Sequence, residues 1–234
     1  MRHIIFLLIV LTFLTNAFAQ KTLVAPDTLS SAQVTELFPD AVRKSFNMKF
    51  PILRVYGYSD KSGQYYCVLT ESRDVITADN DTFNNKIKAI NLKINKGSLV
   101  KVWEFSDNIV KGKNDEHSIW FWTKYMDFKD FDNDSLADPI IVYGTSAING
   151  YDDGRIKFLI YHKGRKIAIR HQNGSLDFLR ETQVDKSFYD LPQPIQTAIK
   201  QKMELMTENE HAIFPAGWET DMKNKKTFFS EREQ

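Results

Sequence analysis

The chain has 234 residues, of which 42% are hydrophobic and 26% are charged, a balance typical of globular domains. Its 31 Lys and Arg residues nearly match its 30 Asp and Glu residues, so no overall basic field indicates nucleic-acid binding. A single cysteine excludes a disulfide framework within the chain and a zinc site built from several cysteines.

The first 20 residues have the three-part pattern of a secretory signal peptide. Residues 1–3 are a short basic start, residues 4–14 are almost wholly apolar, and residues 17–19 form a small-x-small cleavage box before Gln20. An apolar run of that length cannot cross about 30 Å of hydrocarbon as a helix. We therefore predict a signal peptide at 1–19 and a periplasmic or secreted mature chain with no transmembrane segment. Because no cysteine stands directly after the apolar run, we expect no lipid anchor.

Two helices are predicted from side-chain spacing. Ser30 and Gln33 form a capping box ahead of apolar residues at helical spacing, which indicates a short N-terminal helix. Pro192 and Pro194 stand where the first turn of a helix tolerates proline. Apolar residues then recur on one helical face: Ile195, Ile199, Met203 and Met206. We expect this C-terminal helix to lie across one face of a sheet.

Three antiparallel hairpins are predicted between these helices. Their strands alternate apolar and polar residues around polar turns at 59–63, 95–98 and 162–165. The fold class is therefore α+β, mostly antiparallel β, with an N-terminal helix and a C-terminal helix packed on the sheet.

The mature chain is predicted to form one domain. No linker rich in proline or glycine and no internal repeat divides it, so residues 20–234 are expected to form a single secreted β-rich domain. Its last residues, 221–234, are polar, and we expect them to be loosely ordered unless Phe228 and Phe229 dock on the rest.

The most specific motif is an acidic loop. Four aspartates, Asp130, Asp132, Asp134 and Asp138, stand at positions 1, 3, 5 and 9 of the loop. Side chains at alternate positions of a tight loop converge, and the backbone carbonyl of Leu136 would add another oxygen. Calcium takes six to eight oxygen ligands at about 2.3–2.6 Å. The spacing predicts a structural calcium site, and the alternative is a solvated acidic turn that binds no metal.

The sequence after the acidic loop excludes a helical EF-hand. Position 12 is Ile141 where an EF-hand has glutamate, and Pro139 begins an apolar run that predicts a strand. Residues 130–143 resemble the calcium loop of FG-GAP/VCBS-type repeats, Asp-x-Asp-x-Asp-Gly-x-x-Asp before a strand. That resemblance implies the same aspartate ligands. Ser135 stands where glycine is usual, so we expect a strained turn. The motif occurs once, so a propeller is not implied.

A strongly aromatic segment, residues 117–125, runs into the acidic loop. As a strand it places Trp120 and Trp122 on one face and Phe121 and Tyr125 on the other. The two tryptophans could stack on sugar rings, or they could be core residues of a central strand packed on both faces. We favour the core interpretation.

The whole chain resembles a family of exported Bacteroidota proteins that are labelled as surface polysaccharide biosynthesis proteins. The residues that carry the resemblance are the Ala19-Gln20 junction, the 120–122 strand and the segment 214–218. The family label implies a role in making or displaying envelope glycans. It implies no reaction and no active-site residues.

Three functions follow from these observations. The first is an envelope-associated protein that supports surface polysaccharide biosynthesis or binds glycan, with a structural calcium loop and with a cell-surface glycan or an envelope protein as partner. The second is a hydrolase or lyase that acts on glycan, and the third is a protein-binding adhesion module. No HExxH, GxSxG, Walker or GxGxxG motif occurs, which favours a non-catalytic role.

Overall fold

The computed structural model describes residues 24–112 and 115–231. The predicted signal peptide at 1–19 and the cleavage site before Gln20 lie outside the described residues. Within the described ranges, no helix is both long and apolar enough to span a bilayer.

The first antiparallel sheet has five strands among the described residues, in the order β1-β2-β3-β6-β7. These strands are Val24–Thr28 (β1), Ile52–Asp60 (β2), Gly63–Glu71 (β3), Lys86–Asn95 (β6) and Ser98–Asn108 (β7). A two-stranded ribbon between β3 and β6 consists of Val75–Ile76 (β4) and Thr82–Phe83 (β5).

The second antiparallel sheet has seven strands in the part of the chain that is described. Its order is β14-β13-β12-β11-β10-β8, and β9 also pairs with β10. These strands are Ser118–Phe121 (β8), Asp127–Lys129 (β9), Asp138–Ser146 (β10), Arg155–His162 (β11), Arg165–Gln172 (β12), Glu181–Val184 (β13) and Phe228–Ser230 (β14).

Helices cover the outer faces of the two sheets. Their bounds are Ser31–Leu37 (α1), Asp40–Ser45 (α2), Gln193–Glu208 (α3) and Trp218–Lys223 (α4). At the start of α1, the Gln33 amide donates to the Ser30 hydroxyl and the Ser30 amide donates to the Gln33 side chain. This reciprocal pair satisfies two backbone donors that would otherwise lack partners.

Three hydrophobic clusters hold the layers together. The cluster between the sheets includes Leu69 and Ile87 from the first sheet and Ile141 and Leu159 from the second. An outer cluster packs α1 and α2 on the first sheet. The other outer cluster packs α3 and α4 on the second sheet. The prediction of a mostly antiparallel β fold with a C-terminal helix packed on a sheet is confirmed, but the strands form two stacked sheets rather than one.

The predicted hairpins are present, with turns tighter than the sequence indicated. The β6–β7 turn is Lys96-Gly97, and the β11–β12 turn is Lys163-Gly164. All four residues have positive φ, between 48° and 78°. Two consecutive residues with positive φ are the requirement of the type I′ turn, whose twist matches that of paired strands. Glycine adopts this conformation without steric cost, which explains its second position in both turns.

The polar C-terminal segment ends in a short strand, Phe228–Ser230, and one of the two phenylalanines that could dock, Phe229, does so. β14 pairs with β13 and extends the second sheet. Phe229 is buried in the cluster beneath α3, whereas Phe228 on the same strand is exposed. Burial of one large aromatic side chain therefore outweighs the polar character of the segment. Residues 232–234 lie outside the described ranges.

The strand β8 lies at an edge of the second sheet, which corrects the prediction of a central strand. One side of β8 pairs with β10. On its other side, the Ile119 amide donates to the Asn84 carbonyl at 2.9 Å, and the Phe121 amide donates to Oε1 of Glu71 at 2.9 Å. The Asn84 carbonyl and the Glu71 carboxylate therefore accept the hydrogen bonds that a further strand would otherwise accept.

Candidate functional site

The acidic loop connects β9 to β10 and brings three of its four aspartates together. Carboxylate oxygens of Asp130, Asp132 and Asp138 lie within 4.8 Å of one another. Ser135 has a φ of 67°, a left-handed conformation that favours glycine. The loop therefore adopts the backbone conformation that glycine would give at this position, at some steric cost to serine.

Asp134 is held apart from these three carboxylates. Its Oδ1 accepts a hydrogen bond from the Leu136 amide at 2.8 Å, and its Oδ2 lies 2.9 Å from Nζ of Lys163. Burial acts to raise the pKa of the Asp134 carboxyl, but the contact with Lys163 holds it below its usual value. Lys163, which lies in the β11–β12 turn, also lies 3.7 Å from Oδ2 of Asp132. Spacing within the loop carries no information about these contacts, so the sequence grouped Asp134 with the other aspartates.

The turn between β2 and β3, in the first sheet, forms hydrogen bonds with the acidic loop. Buried Asp60 accepts a hydrogen bond from the Ala137 amide at 3.2 Å. The Lys61 amide donates to the Ser135 carbonyl at 3.0 Å, and Lys61 Nζ donates to the Asp134 carbonyl. These contacts join segments about 77 positions apart, so no local sequence signal indicates them.

Asp138 is the most buried of the loop aspartates. It accepts a hydrogen bond from the Phe131 amide at 3.1 Å, and its Oδ1 lies 2.7 Å from Nδ1 of His162. Burial raises the pKa of the Asp138 carboxyl despite these contacts. A cation bound beside Asp130 and Asp132 would favour the charged form of this carboxyl.

A cavity of about 510 Å³ opens at the other end of β10 from the acidic loop. Asp138 begins β10 beside the loop, and Ser146 ends it on the cavity wall. The strand has nine residues, so its two ends lie about 27 Å apart. The cavity walls combine aromatic and polar side chains, among them Trp120, Tyr151 and Phe83. Its volume lies within the range of small-ligand sites.

Trp120 and Tyr151 form an aromatic corner in this cavity. Their ring centroids are 5.7 Å apart at an interplanar angle of 66°. Trp120 is half-buried and Tyr151 is 42% exposed, so both rings present surface to a ligand. The chain between β10 and β11 carries Tyr151 to this position.

Trp122 is buried and does not present its ring as a stacking platform. It is 6% exposed and packs in the cluster beneath α3. A Cβ atom on Gly144 would lie 2.6 Å from its indole ring, so glycine is needed to make room for it. The indole Nε1 has no hydrogen-bond partner within the described ranges, and Trp122 therefore contributes through packing. The tryptophans share a face as predicted, but only Trp120 lines the cavity.

Glu71 is a buried carboxyl on the cavity wall, and the sequence did not single it out. Its Oε1 accepts from the Phe121 amide, and its Oε2 accepts from Nδ2 of Asn84 at 3.2 Å. Burial raises the pKa of Glu71 above its usual value. Asp81, which also lines the cavity, is exposed. Glu71 is the last residue of β3, and its position in the sequence carries no signal that a cavity lies there.

No family model, curated protein or solved structure matches this chain.

The side chains of the acidic loop and of the cavity indicate what each of them could bind. The acidic loop offers three clustered carboxylates, the oxygen ligands that suit a hard cation such as calcium. The cavity offers aromatic faces beside hydroxyl, amide and carboxyl groups, which suit a ligand with both apolar and polar faces.

Proposed function

We propose that this protein binds a glycan in the cavity beside Trp120, as an exported envelope protein that supports surface polysaccharide biosynthesis. The observation that carries the proposal is the aromatic corner of Trp120 and Tyr151 on a cavity of about 510 Å³. A sugar ring has an apolar C–H face that packs on an aromatic ring, and its hydroxyl groups require hydrogen-bond partners. Thr82 and Thr123 on the walls, which are exposed and partly exposed, offer hydroxyl groups as such partners.

The contacts of Glu71 favour binding over hydrolysis. Each of its Oε atoms already accepts a hydrogen bond, and the bond from the Phe121 amide holds the edge of β8 in place. A general acid must instead reach the glycosidic oxygen and exchange its proton during the reaction. Glu71 is therefore better suited to a fixed position on the cavity wall than to the role of a general acid.

Substitutions on the cavity wall should weaken glycan binding. Trp120→Ala and Tyr151→Ala are each expected to lower affinity about tenfold, because each removes an aromatic contact with the sugar. The measurement is binding of labelled protein to an array of bacterial surface oligosaccharides, followed by titration calorimetry on the best ligand. Phe178→Ala is the matched control, since Phe178 is an aromatic residue 53% exposed that does not line the cavity.

Two results would contradict the glycan proposal. One is that the wild-type protein binds no oligosaccharide on the array. The other is that Phe178→Ala weakens binding as much as Trp120→Ala does, because the contact would then lie elsewhere on the surface.

A structural calcium ion in the acidic loop is the second part of the proposal. The clustered carboxylates of Asp130, Asp132 and Asp138 support it, because three such charges repel one another unless a cation lies among them. The Leu136 carbonyl stays a predicted fourth ligand. Asp134, which the sequence also predicts as a ligand, has Lys163 as its partner and is assigned to the outer side of the loop.

Calcium is expected to raise the melting temperature by a few degrees. Extracellular calcium modules bind at about 10⁻⁴–10⁻³ M. A tenfold excess of free calcium over the dissociation constant then adds about 1.4 kcal/mol to the free energy of unfolding. For a domain of this size that corresponds to roughly 3–6 °C. Calorimetry with calcium, magnesium and chelator measures the shift, and magnesium should substitute poorly because it requires near-octahedral geometry.

Two aspartate variants test the ligand assignment. Asp132→Ala should remove the calcium response, whereas Asp134→Ala should retain it. A calcium-dependent shift that survives in Asp132→Ala would place the ion outside this loop. The absence of any shift in the wild-type protein at millimolar calcium would remove the ion from the proposal.

Export is the third part of the proposal, and it rests on the signal pattern at residues 1–19. The exported protein is expected to begin at Gln20, with its terminal glutamine partly cyclised to pyroglutamate. Mass spectrometry of protein from the envelope fraction identifies the terminus. An intact Met1 on most of that protein would show that the segment is retained.

A further inference from the structure

The other buried carboxyl groups of the described residues each have a basic side chain or four hydrogen-bond donors as partners. Glu116 lies 2.5 Å from Nε of Arg155, and Asp138 contacts His162. Asp60 lacks a cation but accepts hydrogen bonds from four donors in the β2–β3 turn and the acidic loop. Such compensation is required because an uncompensated buried charge is costly.

Glu71 has no such close compensation. It is 6% exposed, it accepts two hydrogen bonds from uncharged donors, and the attraction of Arg73 acts on it without a close ion pair among the described residues. Yet this carboxyl lines a cavity large enough for a ligand. A cationic group on the ligand would supply the missing partner.

The other walls of the cavity also suit a cation. Aromatic rings attract cations through the negative charge of their faces, and Trp120, Phe83 and Tyr151 all line the cavity. Asp81 adds a second carboxylate at the exposed side. The one lining cation, Arg54, is exposed and lies 5.8 Å from the ring centroid of Tyr56.

We propose that the ligand of this cavity carries an ammonium group, which Glu71 and Asp81 neutralise and the aromatic walls surround. This inference rests on the proposed glycan function and narrows its ligand to a glycan with a free amino sugar. The bond from the Phe121 amide to Glu71 fixes the orientation of the carboxyl, so the ammonium meets a group that is already positioned.

A matched pair of ligands tests the inference. One is an N-acetylglucosamine oligosaccharide, and the other is the same oligosaccharide after complete removal of its acetyl groups. Titration calorimetry is done below the pKa of the free amines. The deacetylated form is expected to bind the wild-type protein at least about tenfold more tightly. Its ammonium group can form a charge-assisted hydrogen bond with a carboxylate, which the acetylated form cannot.

Charge-removing variants identify the responsible groups. Glu71→Gln should abolish the preference for the deacetylated form, and Asp81→Asn should reduce it severalfold. Asp79→Asn is the control, because Asp79 is an exposed aspartate in the same segment that does not line the cavity. Asp81→Asn keeps the test decisive if Glu71→Gln melts early, since Asp81 is exposed.

The possible outcomes distinguish the ammonium inference from the proposed glycan function. Equal affinity for the two oligosaccharides would overturn the ammonium inference and leave the glycan function standing. Binding of oligolysine, with no binding of either oligosaccharide, would overturn the assignment of the ligand as a glycan. A preference that persists unchanged in both Glu71→Gln and Asp81→Asn would overturn the role of these carboxyls.

Discussion

Replacing Trp122 with alanine is expected to lower the free energy of unfolding by roughly 3–5 kcal/mol, the usual cost of removing a large buried aromatic side chain. Trp122 is 6% exposed, and its ring packs against Tyr125, Tyr151 and His211 at centroid distances of 5.7–6.2 Å. The cavity left by its removal would lie between the second sheet and the helices that cover it. Urea unfolding followed by circular dichroism measures the loss.

The matched variant Trp120→Ala should cost less stability, about 1–2 kcal/mol, because this indole is only partly buried. The two variants remove the same atoms from neighbouring positions on one face, so their difference reports burial alone. Equal losses of stability in the two variants would mean that Trp120 is also a core residue. The aromatic corner would then no longer be a free binding surface.

Acidification from pH 6.5 to pH 4 is expected to remove about 3 kcal/mol of stability through His171 alone. Burial lowers the pKa of this imidazole from 6.5 to about 4. Its Nε2 lies 2.7 Å from Oδ1 of Asn173, which can only accept, so Nε2 carries the proton. Nδ1 then accepts from the Thr182 hydroxyl at 2.9 Å. The neutral ring is thus fully hydrogen-bonded.

The direction of the pH effect follows from proton binding. Between pH 6.5 and 4 the unfolded chain holds a proton on this histidine and the folded chain does not. The stability it contributes is therefore fully present above pH 6.5 and is lost as the pH falls towards 4. Because carboxyl groups also titrate in this range, the measurement is the difference in pH dependence between wild type and His171→Gln. Parallel profiles for the two proteins would refute the assignment.

Local patterns in the sequence predicted the hairpins and the C-terminal helix. Lys96-Gly97 and Lys163-Gly164 lie between alternating strands, and both become tight turns with positive φ. In α3, Ile195, Ile199 and Met203 are spaced by four, and all three are buried. Each of these features depends on neighbours in sequence, which is why spacing was sufficient.

The stacking of two sheets could not be predicted, because it depends on contacts between distant segments. β10 is buried on both faces, with Ile140 against α3 and Ile141 between the sheets, but a continuous apolar run fits a strand of one sheet equally well. Similarly, β8 resembles a central strand in composition. Its edge position follows from Glu71 and Asn84, which precede it by dozens of residues.

The candidate sites also combine features that local spacing predicts with features that depend on distant contacts. Regular spacing within one loop located Asp130, Asp132 and Asp138. Spacing could not show that Asp134 lies outside this group, nor that Lys163 from another turn contacts both Asp134 and Asp132. The cavity beside Trp120 is assembled from several loops and strand ends, so the sequence indicated one wall and missed the buried Glu71.

The hydrogen bonds at the outer edge of β8 also affect the tendency of the protein to aggregate. An exposed edge strand offers free amides that another chain can pair with, and proteins often block such edges with lysine, proline or a bulge. β8 carries none of these, since its four residues are Ser118-Ile-Trp-Phe121. Its outward amides at Ile119 and Phe121 are occupied instead by acceptors from outside the sheet. An apolar, aromatic strand of this kind can therefore remain at a sheet edge without recruiting a second copy of the chain.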